Sequence, residues 1–459
     1  MLTLESKDFI QLSLLLVIAS FSIPIARKVS LVEIPILISL GLLFGPGLGV
    51  INHSFAEYMI QDFAGFGVGI LGLVVILYYE SHNINFRVIR KFLLNIISLN
   101  TVGMVVTSVV AGIFFSLLTG APFLIGFLFG AIISPTDPST LIPLFRKIKI
   151  KDDYSGTLIG ESLFNDPLAI ILVTLAISFI YSGSSYSTLF NSVTGAVGII
   201  GGIPLFLVIQ IAVPSVFGVA MGFGIIYLNK YLNFENLIVG LLLGVVLFEL
   251  TVLYGLGITP FPAIIATGAI VGTFTDKSIF WSRESNFQEN LSFLAQGIIF
   301  ILVGRLITIG DITGYLLQGF ILTLIVIFVV RPMAVFISLP PGRSKNKGPA
   351  KSWRTKTFIA LSGPRGVVSV VEGAVPYSIG LLSGNALLLK WGLVLEIDVT
   401  FIVLISILLQ TIYLPNSSRE IIAPGCNSNL NFLCHIQRLK NPSPIFIKLV
   451  YHIIEVLVV

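Results

Sequence analysis

The sequence predicts an all-α polytopic membrane protein with about 13 transmembrane helices, two inverted six-helix repeats, and discontinuous fifth and twelfth helices. Three observations predict it. Of 459 residues, 55% are hydrophobic and 11% charged, whereas soluble domains carry about 25% charged residues. Apolar runs follow one another along most of the chain, and roughly 20 such residues cross a bilayer. Two of these runs are broken, at Ser134-Pro135-Thr136-Asp137-Pro138 and at Ser362-Gly363-Pro364-Arg365-Gly366. The breaks lie about seven spans apart, as two six-span repeats joined by a linker helix would place them. No clear residue-level repeat accompanies them, so the symmetry rests on hydropathy and breaks.

The spans in order are 9–26, 33–51, 64–80, 92–118, 121–145, 154–181, 193–228, 235–254, 260–274, 288–309, 312–339, 353–383 and 391–414. Glu5 and Asp8 precede the first, which is unlike the basic head of a secretory signal, so it reads as a retained span. The seventh is long enough to be tilted, or broken at Pro204 or Pro214, and the ninth is short. Loop charge tests the count. Loops after odd-numbered spans hold Arg27 and Lys28; Arg87, Arg90 and Lys91; Arg146, Lys147, Lys149 and Lys151; Lys230; Lys277 and Arg283; then Arg343, Lys345, Lys347, Lys351, Arg354 and Lys356. Loops after even-numbered spans hold almost none, Lys390 excepted. Positive loops stay inside, so the N-terminus is expected outside and the C-terminus in the cytoplasm. The net charge of +5 is therefore loop charge, and nucleic acid is not an expected partner. Cys426 and Cys434 have no Cys/His cluster around them and suggest no zinc site. Residues 1–414 form the membrane unit and 415–459 a tail. The tail's apolar run 444–459 reads as an interfacial or packed helix rather than a crossing.

Three carboxylates, Asp137, Glu161 and Asp166, fall inside spans. At membrane depth each costs about 2.5–3.5 kcal/mol, and the usual reason to keep one is cation binding or proton passage. Pro135 and Pro138 bracket Thr136-Asp137 and should interrupt the helix. Irregular backbone is tolerated there only when buried or lining a wet cavity, where loosened carbonyls bind ions. The rival reading is a proline kink that turns Asp137 toward the loop holding Arg146 and Lys147.

In Glu161-Ser162-Leu163-Phe164-Asn165-Asp166-Pro167, Ser162 and Asp166 share one helix face. Glu161 and Asn165 share another, about 100° away. One acid can then face an ion path while the other pairs with a base. A polar helix seam would explain Ser162 and Asn165, but not two acids. Arg365 is permanently charged and needs an anion, for which the sixth-span acids are the nearest supply. Glu80 ends the third span and reaches either the site or the surface. Glu249, Arg305 and Glu372 lie well inside spans; Arg305 and Glu372 can pair with each other or with site residues, and structural pairing is the expectation. Glu396 and Asp398 are expected near the outer end of the last span.

The matching stretches are Ser-Pro-Thr-Asp-Pro-Ser-Thr-Leu-Ile-Pro-Leu-Phe from Ser134, Glu-Ser-Leu-Phe-Asn-Asp-Pro-Leu-Ala from Glu161, Phe-Ile-Leu-Val-Gly from Phe300 and Gly-Pro-Arg-Gly-Val-Val from Gly363. With these the chain resembles the sodium/proton antiporters of the monovalent cation–proton antiporter family, in their NhaP-type archaeal and bacterial branch, over residues 10 to 414. The resemblance implies dimerisation helices and a mobile six-helix ion-binding core that includes 92–181 and 312–383. It implies Asp166 as the exchanged carboxylate, with Asp137, Thr136 and Ser162 completing a transient Na+ site and Glu80 joining through water. Asn165 in place of a second aspartate marks the electroneutral branch, and Glu161 with Arg365 is the implied structural salt bridge.

The implied function is a secondary transporter, not an enzyme, exchanging Na+ or Li+ for H+ one for one across the cell membrane in pH homeostasis. A K+/H+ antiporter of the same fold is the alternative. Expected partners are these ions, membrane lipid and a second copy of the chain, with no cofactor. A cation channel would lack proton coupling. An intramembrane aspartyl protease needs Gly-x-Gly-Asp with Pro-Ala-Leu, and the chain offers only Thr308-Ile309-Gly310-Asp311. The tail after Pro415 departs from the family pattern, so nothing is carried over there.

Overall fold

A computed structural model describes residues 6–29, 33–62, 67–84, 86–137, 152–232, 234, 237–275, 279–306, 309–339 and 353–422. Among them all regular structure is helical. The long helices are α1 (Ser6–Val29), α2 (Glu33–Gly47), α3 (Gly67–His82), α4 (Phe86–Ser98 continuing to Thr119), α5 (Phe123–Ile132), α6 (Asp152–Ile180) and α7 (Ser185–Leu232). They continue with α8 (Ile238–Gly255), α9 (Phe261–Phe274), α10 (Ile279–Leu306), α11 (Ile309–Ile325 continuing to Ser338), α12 (Trp353–Leu361), α13 (Val367–Ser383) and α14 (Ala386–Ile422). Among the described residues, seven helical segments are long and apolar enough to cross a membrane, and five shorter helices are apolar. Helices suit these runs because hydrocarbon offers no partner for a backbone amide, so each segment must satisfy its own.

The helices pack in two groups. In one, α2 and α3 lie against α10, α3 and α7 against α9, α1 against α10, and α8 against α7. In the other, α5 lies between α4 and α6, α11 packs on α4 and α14, and α12 and α13 pack on α14. The groups meet where α6 runs on toward α7, and where α13 and α14 touch α2, α3 and α10. Small residues set the closest approaches. A Cβ on Gly126 would strike the Gly112 carbonyl and the Ser116 hydroxyl, and one on Gly130 the Ser108 carbonyl. Gly41 and Gly304 play the same part between α2 and α10. Apolar side chains on the outside, such as Val208, Val216 and the 93% exposed Ile200 of α7, suit hydrocarbon surroundings.

Several expectations are corrected. The seventh span does not break at Pro204 or Pro214; both stay within α7, and the irregular residue is Gly198, at φ 76° and ψ 166°. Proline keeps a helical φ and removes one donor, whereas positive φ comes without steric cost only to glycine. The last helix does not stop at Pro415 but runs to Ile422. The breaks at the fifth and twelfth spans are present: α5 ends at Ile132 with residues 134–137 non-helical, and residues 362–366 separate α12 from α13. Pro138, the loop lysines and arginines at 146–151 and 343–351, Cys426, Cys434 and the run 444–459 lie outside the described residues.

Gly130→Val should strain the α4–α5 crossing. Its thermal midpoint in detergent should fall, by the equivalent of about 1–3 kcal/mol for an overpacked contact. An unchanged midpoint would mean that the helices are free to separate there.

Candidate ion-binding site

The site begins where α5 runs out. Ile133 and Ser134 still donate to Phe129 and Ala131 carbonyls, but Pro135 has no amide proton, so the helical ladder cannot continue through it. Residues 134–137 then continue without helical structure and meet residues 362–366. The Asp137 amide donates to the Pro364 carbonyl at 2.8 Å. Arg365, 1% exposed, donates from Nη1 to the carbonyls of Ser134 at 2.9 Å and Pro135 at 3.0 Å. Its own amide donates to Ser406 Oγ of α14 at 3.3 Å. The guanidinium thus covers the electronegative end of α5, while Asp137 lies at the electropositive start of α13, each charge matching its helix dipole. The crossing has no room for side chains. A Cβ on Gly366 would overlap the Asp137 carboxylate, and one on Gly363 would come within 3.1 Å of Thr136 Cγ2.

α6 supplies the facing wall. Asn165 Nδ2 donates to Thr136 Oγ1 at 3.0 Å and to the Thr136 carbonyl at 3.2 Å. One residue on, Asp166 is buried, as are Ser162, Thr136 and Asp137. Glu80, near the end of α3, lies close enough to interact electrostatically with both Asp137 and Asp166, and those two with each other. The fold therefore gathers three carboxylates around the crossing, two from helices α3 and α6 and one from the unwound segment after α5. Among the described residues, no three His, Cys, Asp or Glu side chains stand close enough to hold a metal ion by themselves. A cation here would need hydroxyl and carbonyl oxygens as well, and Ser162 and Thr136 carry them.

The expected Glu161–Arg365 bridge is not formed. Glu161 accepts a two-pronged bond from Arg331 of α11, Nη1 to Oε1 at 2.6 Å and Nη2 to Oε2 at 2.9 Å. Two parallel bonds satisfy both carboxylate oxygens, while Arg365 spends Nη1 on the broken helix. Arg331 went unremarked in the sequence, although an arginine beside Pro332 in the eleventh span carries the same burial cost as the acids. Asn100 was missed too; its Nδ2 donates to the Glu161 carbonyl at 3.2 Å. Arg305 does not pair with Glu372 but donates to the Ile51 carbonyl. Asp398 is not at an outer end but fully buried, accepting from Gln318 of α11.

Comparison with known proteins follows the same lines. Residues 14–416 match the family described as sodium/hydrogen exchanger, transmembrane. The chain is 29% identical over 368 residues to Na+/H+ antiporter 1 of Methanocaldococcus jannaschii, covering 78% of this chain and 80% of that one. It is 28% identical over 395 residues to the K+/H+ antiporter NhaP of Alkalimonas amylolytica, covering 82% of this chain and 62% of that one. The solved sodium proton antiporter MjNhaP1 of Methanocaldococcus jannaschii at pH 8 superposes with a TM-score of 0.78 at 26% identity, over 91% of this chain and 99% of that one.

Arg331→Ala should leave Glu161 buried without a cation, at a cost of about 3–5 kcal/mol. Adding Glu161→Ala should recover part of that loss in thermal stability. Glu161→Ala combined with Arg365→Ala should show no such recovery over Arg365→Ala alone. Recovery with Arg365 instead of Arg331 would reverse the pairing.

Proposed function

The chain belongs to the sodium/hydrogen exchanger transmembrane family, and from that premise we propose that it is a multi-pass membrane antiporter exchanging Na+, or Li+, for H+. The observation that carries this reading is the meeting of Asp137, Asp166 and Glu80 at a crossing of two unwound segments. Asp166 is the exchanged group. Burial penalises an ionised carboxylate, and either a proton or a cation removes the penalty. Both cannot do so at once, and this competition couples the two gradients. Asp137, Thr136 and Ser162 complete the cation shell, and Glu80 approaches it through water. Asn165 cannot titrate and holds Thr136 in place.

The cycle moves no net charge. Asp166 crosses neutralised by Na+ one way and by H+ the other, with Asp137 keeping its charge at the start of α13. Alternating access comes from the group that contains α4–α6 and α11–α14 moving against the group that contains α1–α3 and α7–α10. The exposed apolar face of α7 suits lipid or a second copy in a homodimer. Loop charge supports an N-terminus outside and a C-terminus in the cytoplasm, and exchange of this kind would serve pH homeostasis at the cell membrane. K+/H+ exchange is the second reading, favoured by the match to a K+/H+ antiporter.

Vesicles carrying Asp166→Asn should show no cation-driven proton movement, with the protein's thermal midpoint near that of the wild type. Full exchange in that variant would sink the assignment of Asp166. Separate runs with Na+, Li+ and K+ decide the cation.

Voltage tests the stoichiometry. Moved charge feels about 2.3 kcal/mol per 100 mV, so clamping the potential with valinomycin and K+ should leave the rate of Na+/H+ exchange unchanged. A rate that follows voltage, or a transport current on a supported membrane, would refute one-for-one exchange.

A further inference from the structure

α4 and α11 carry the same irregularity. In α4 the α-helical ladder gives way to one π turn at Leu99–Gly103 and resumes at Met104. In α11 it gives way at Val326–Val330 and resumes at Arg331. The two helices lie seven spans apart, as the two broken ones do, and each precedes a break. A π turn holds an extra residue, so each face beyond it is turned by about 100° from its place in an unbroken α-helix. Such turns are rare, and many of them occur at functional sites.

The two turns pack on each other. The part of α11 from Arg331 to Ser338 lies on the π turn of α4, and the part of α4 from Met104 to Thr119 lies on the π turn of α11. Gly103 keeps them close, since a Cβ there would stand 2.9 Å from Ser338 Oγ. Ser98 Oγ donates to the Ser338 carbonyl. From this junction two polar side chains reach the same residue of α6. Arg331, the first residue after one turn, takes the Glu161 carboxylate. Asn100, inside the other turn, donates from Nδ2 to the Glu161 carbonyl at 3.2 Å. Asn100 is buried, and among the described residues its Oδ1 accepts nothing. Its hold on α6 is therefore all in the donated bond.

The two contacts constrain different things. Glu161 and Arg331 are both long, and their torsions let α6 turn on its axis while the pair stays closed. Asn100 is short and grips the backbone itself, at a carbonyl whose second lone pair can take a donor beyond the helical one. One turn along α6, Asn165 holds Thr136, and Asp166 follows it. Side-chain tips stand about 5 Å from a helix axis. A turn of α6 by about 10° would then carry Asp166 by about 1 Å, more than the roughly 0.5 Å within which a binding constellation has to be held.

We propose that Asn100 is a positioning residue of the cation site: aimed by the π turn of α4, it fixes the rotation of α6 and with it the distance of Asp166 from Asp137 and Thr136. This rests on the reading of Asp166 as the exchanged group. A bond that only glued α4 to α6 would add stability and leave cation affinity alone. A positioning bond sets the affinity.

The test reads cation binding on the full-length protein in detergent, as the concentration of Na+, Li+ or K+ needed for a given rise in thermal midpoint. N100L, close in volume but without a donor, should need about fivefold more cation than the wild type, the scale of one hydrogen bond. N100Q keeps the donor on a longer arm and should lie between them. S98A removes a bond between α4 and α11 but none to α6, and should match the wild type. If N100L does not fold, N100A, smaller and equally without a donor, is read in its place. In vesicles the donor-free variant should raise the cation KM by a like factor, with the maximal rate per folded protein kept within about twofold. A lowered maximal rate at unchanged KM would mean a structural role and overturn the proposal. So would a shift in S98A equal to that in N100L, or N100Q no closer to the wild type than N100L. A wild type that responds to a cation while the donor-free variant matches it refutes the role of Asn100 alone. A wild type that responds to none of the three cations refutes the site reading, and this proposal with it.

Discussion

Backbone amides and carbonyls in hydrocarbon must find partners inside the protein, and an unmet one costs several kcal/mol. The crossing of residues 134–137 with 362–366 breaks two helices at once, so it is the most demanding place in the fold. Its solution is compact. One backbone bond joins Asp137 to Pro364, and one guanidinium nitrogen of Arg365 serves two orphaned carbonyls. Everything nearby follows from this. Gly363 and Gly366 are small because the strands of the crossing touch. Asn165 reaches Thr136 because the non-helical segment presents both its hydroxyl and its carbonyl to α6.

The crossing also sets the local charge. Arg331 and Glu161 cancel each other through two direct bonds. Arg365 and Asp137 each oppose a helix dipole, so their charges are partly compensated by backbone. Asp166 and Glu80 remain, near one another and near Asp137, with no described basic side chain bonded to either. A buried cluster with surplus carboxylate has two ways to become neutral: it can take up protons or admit a cation. In the proposed mechanism that choice is the exchange step, and it arises because Arg331 and Arg365 are committed elsewhere.

The fold class was legible because the membrane constrains composition so strongly. Apolar runs, loop arginines and lysines, and two Pro/Gly breaks sufficed to place α5, α6, α12 and α13 within a few residues. The acids of the proposed site were legible for the same reason: a carboxylate in a span is conspicuous. Geometry was not. The sequence holds two intramembrane arginines able to meet Glu161, and nothing in their spacing says that α11 brings Arg331 to it while Arg365 is consumed by carbonyls. Only the three-dimensional course of α11 past α4 and α6 decides between them. The break at Gly198 was missed because proline is the louder signal, though it is glycine that tolerates the positive φ. Glu80 could not be assigned to site or surface until α3 was placed against α6 and α13.

α3 occupies the position that any relative movement of the two groups must respect. It belongs by packing to the group built on α9 and α10, yet its Glu80 faces acids carried by the other group. Within each group, glycines bring backbones into contact, as at Gly130 with Ser108 and Gly272 with His82. Such contacts are rigid, because a close-packed backbone has no slack to absorb a shift. Between the groups, α13 and α14 touch α2, α3 and α10 more sparingly. Displacement is therefore cheapest along the seam between groups and dear within them. In the proposed cycle, a movement along that seam would carry Asp137 and Asp166 past Glu80 and alter how many carboxylates share one proton or cation. The affinity of Asp166 for either ion would then change with the position of the core, as alternating access requires.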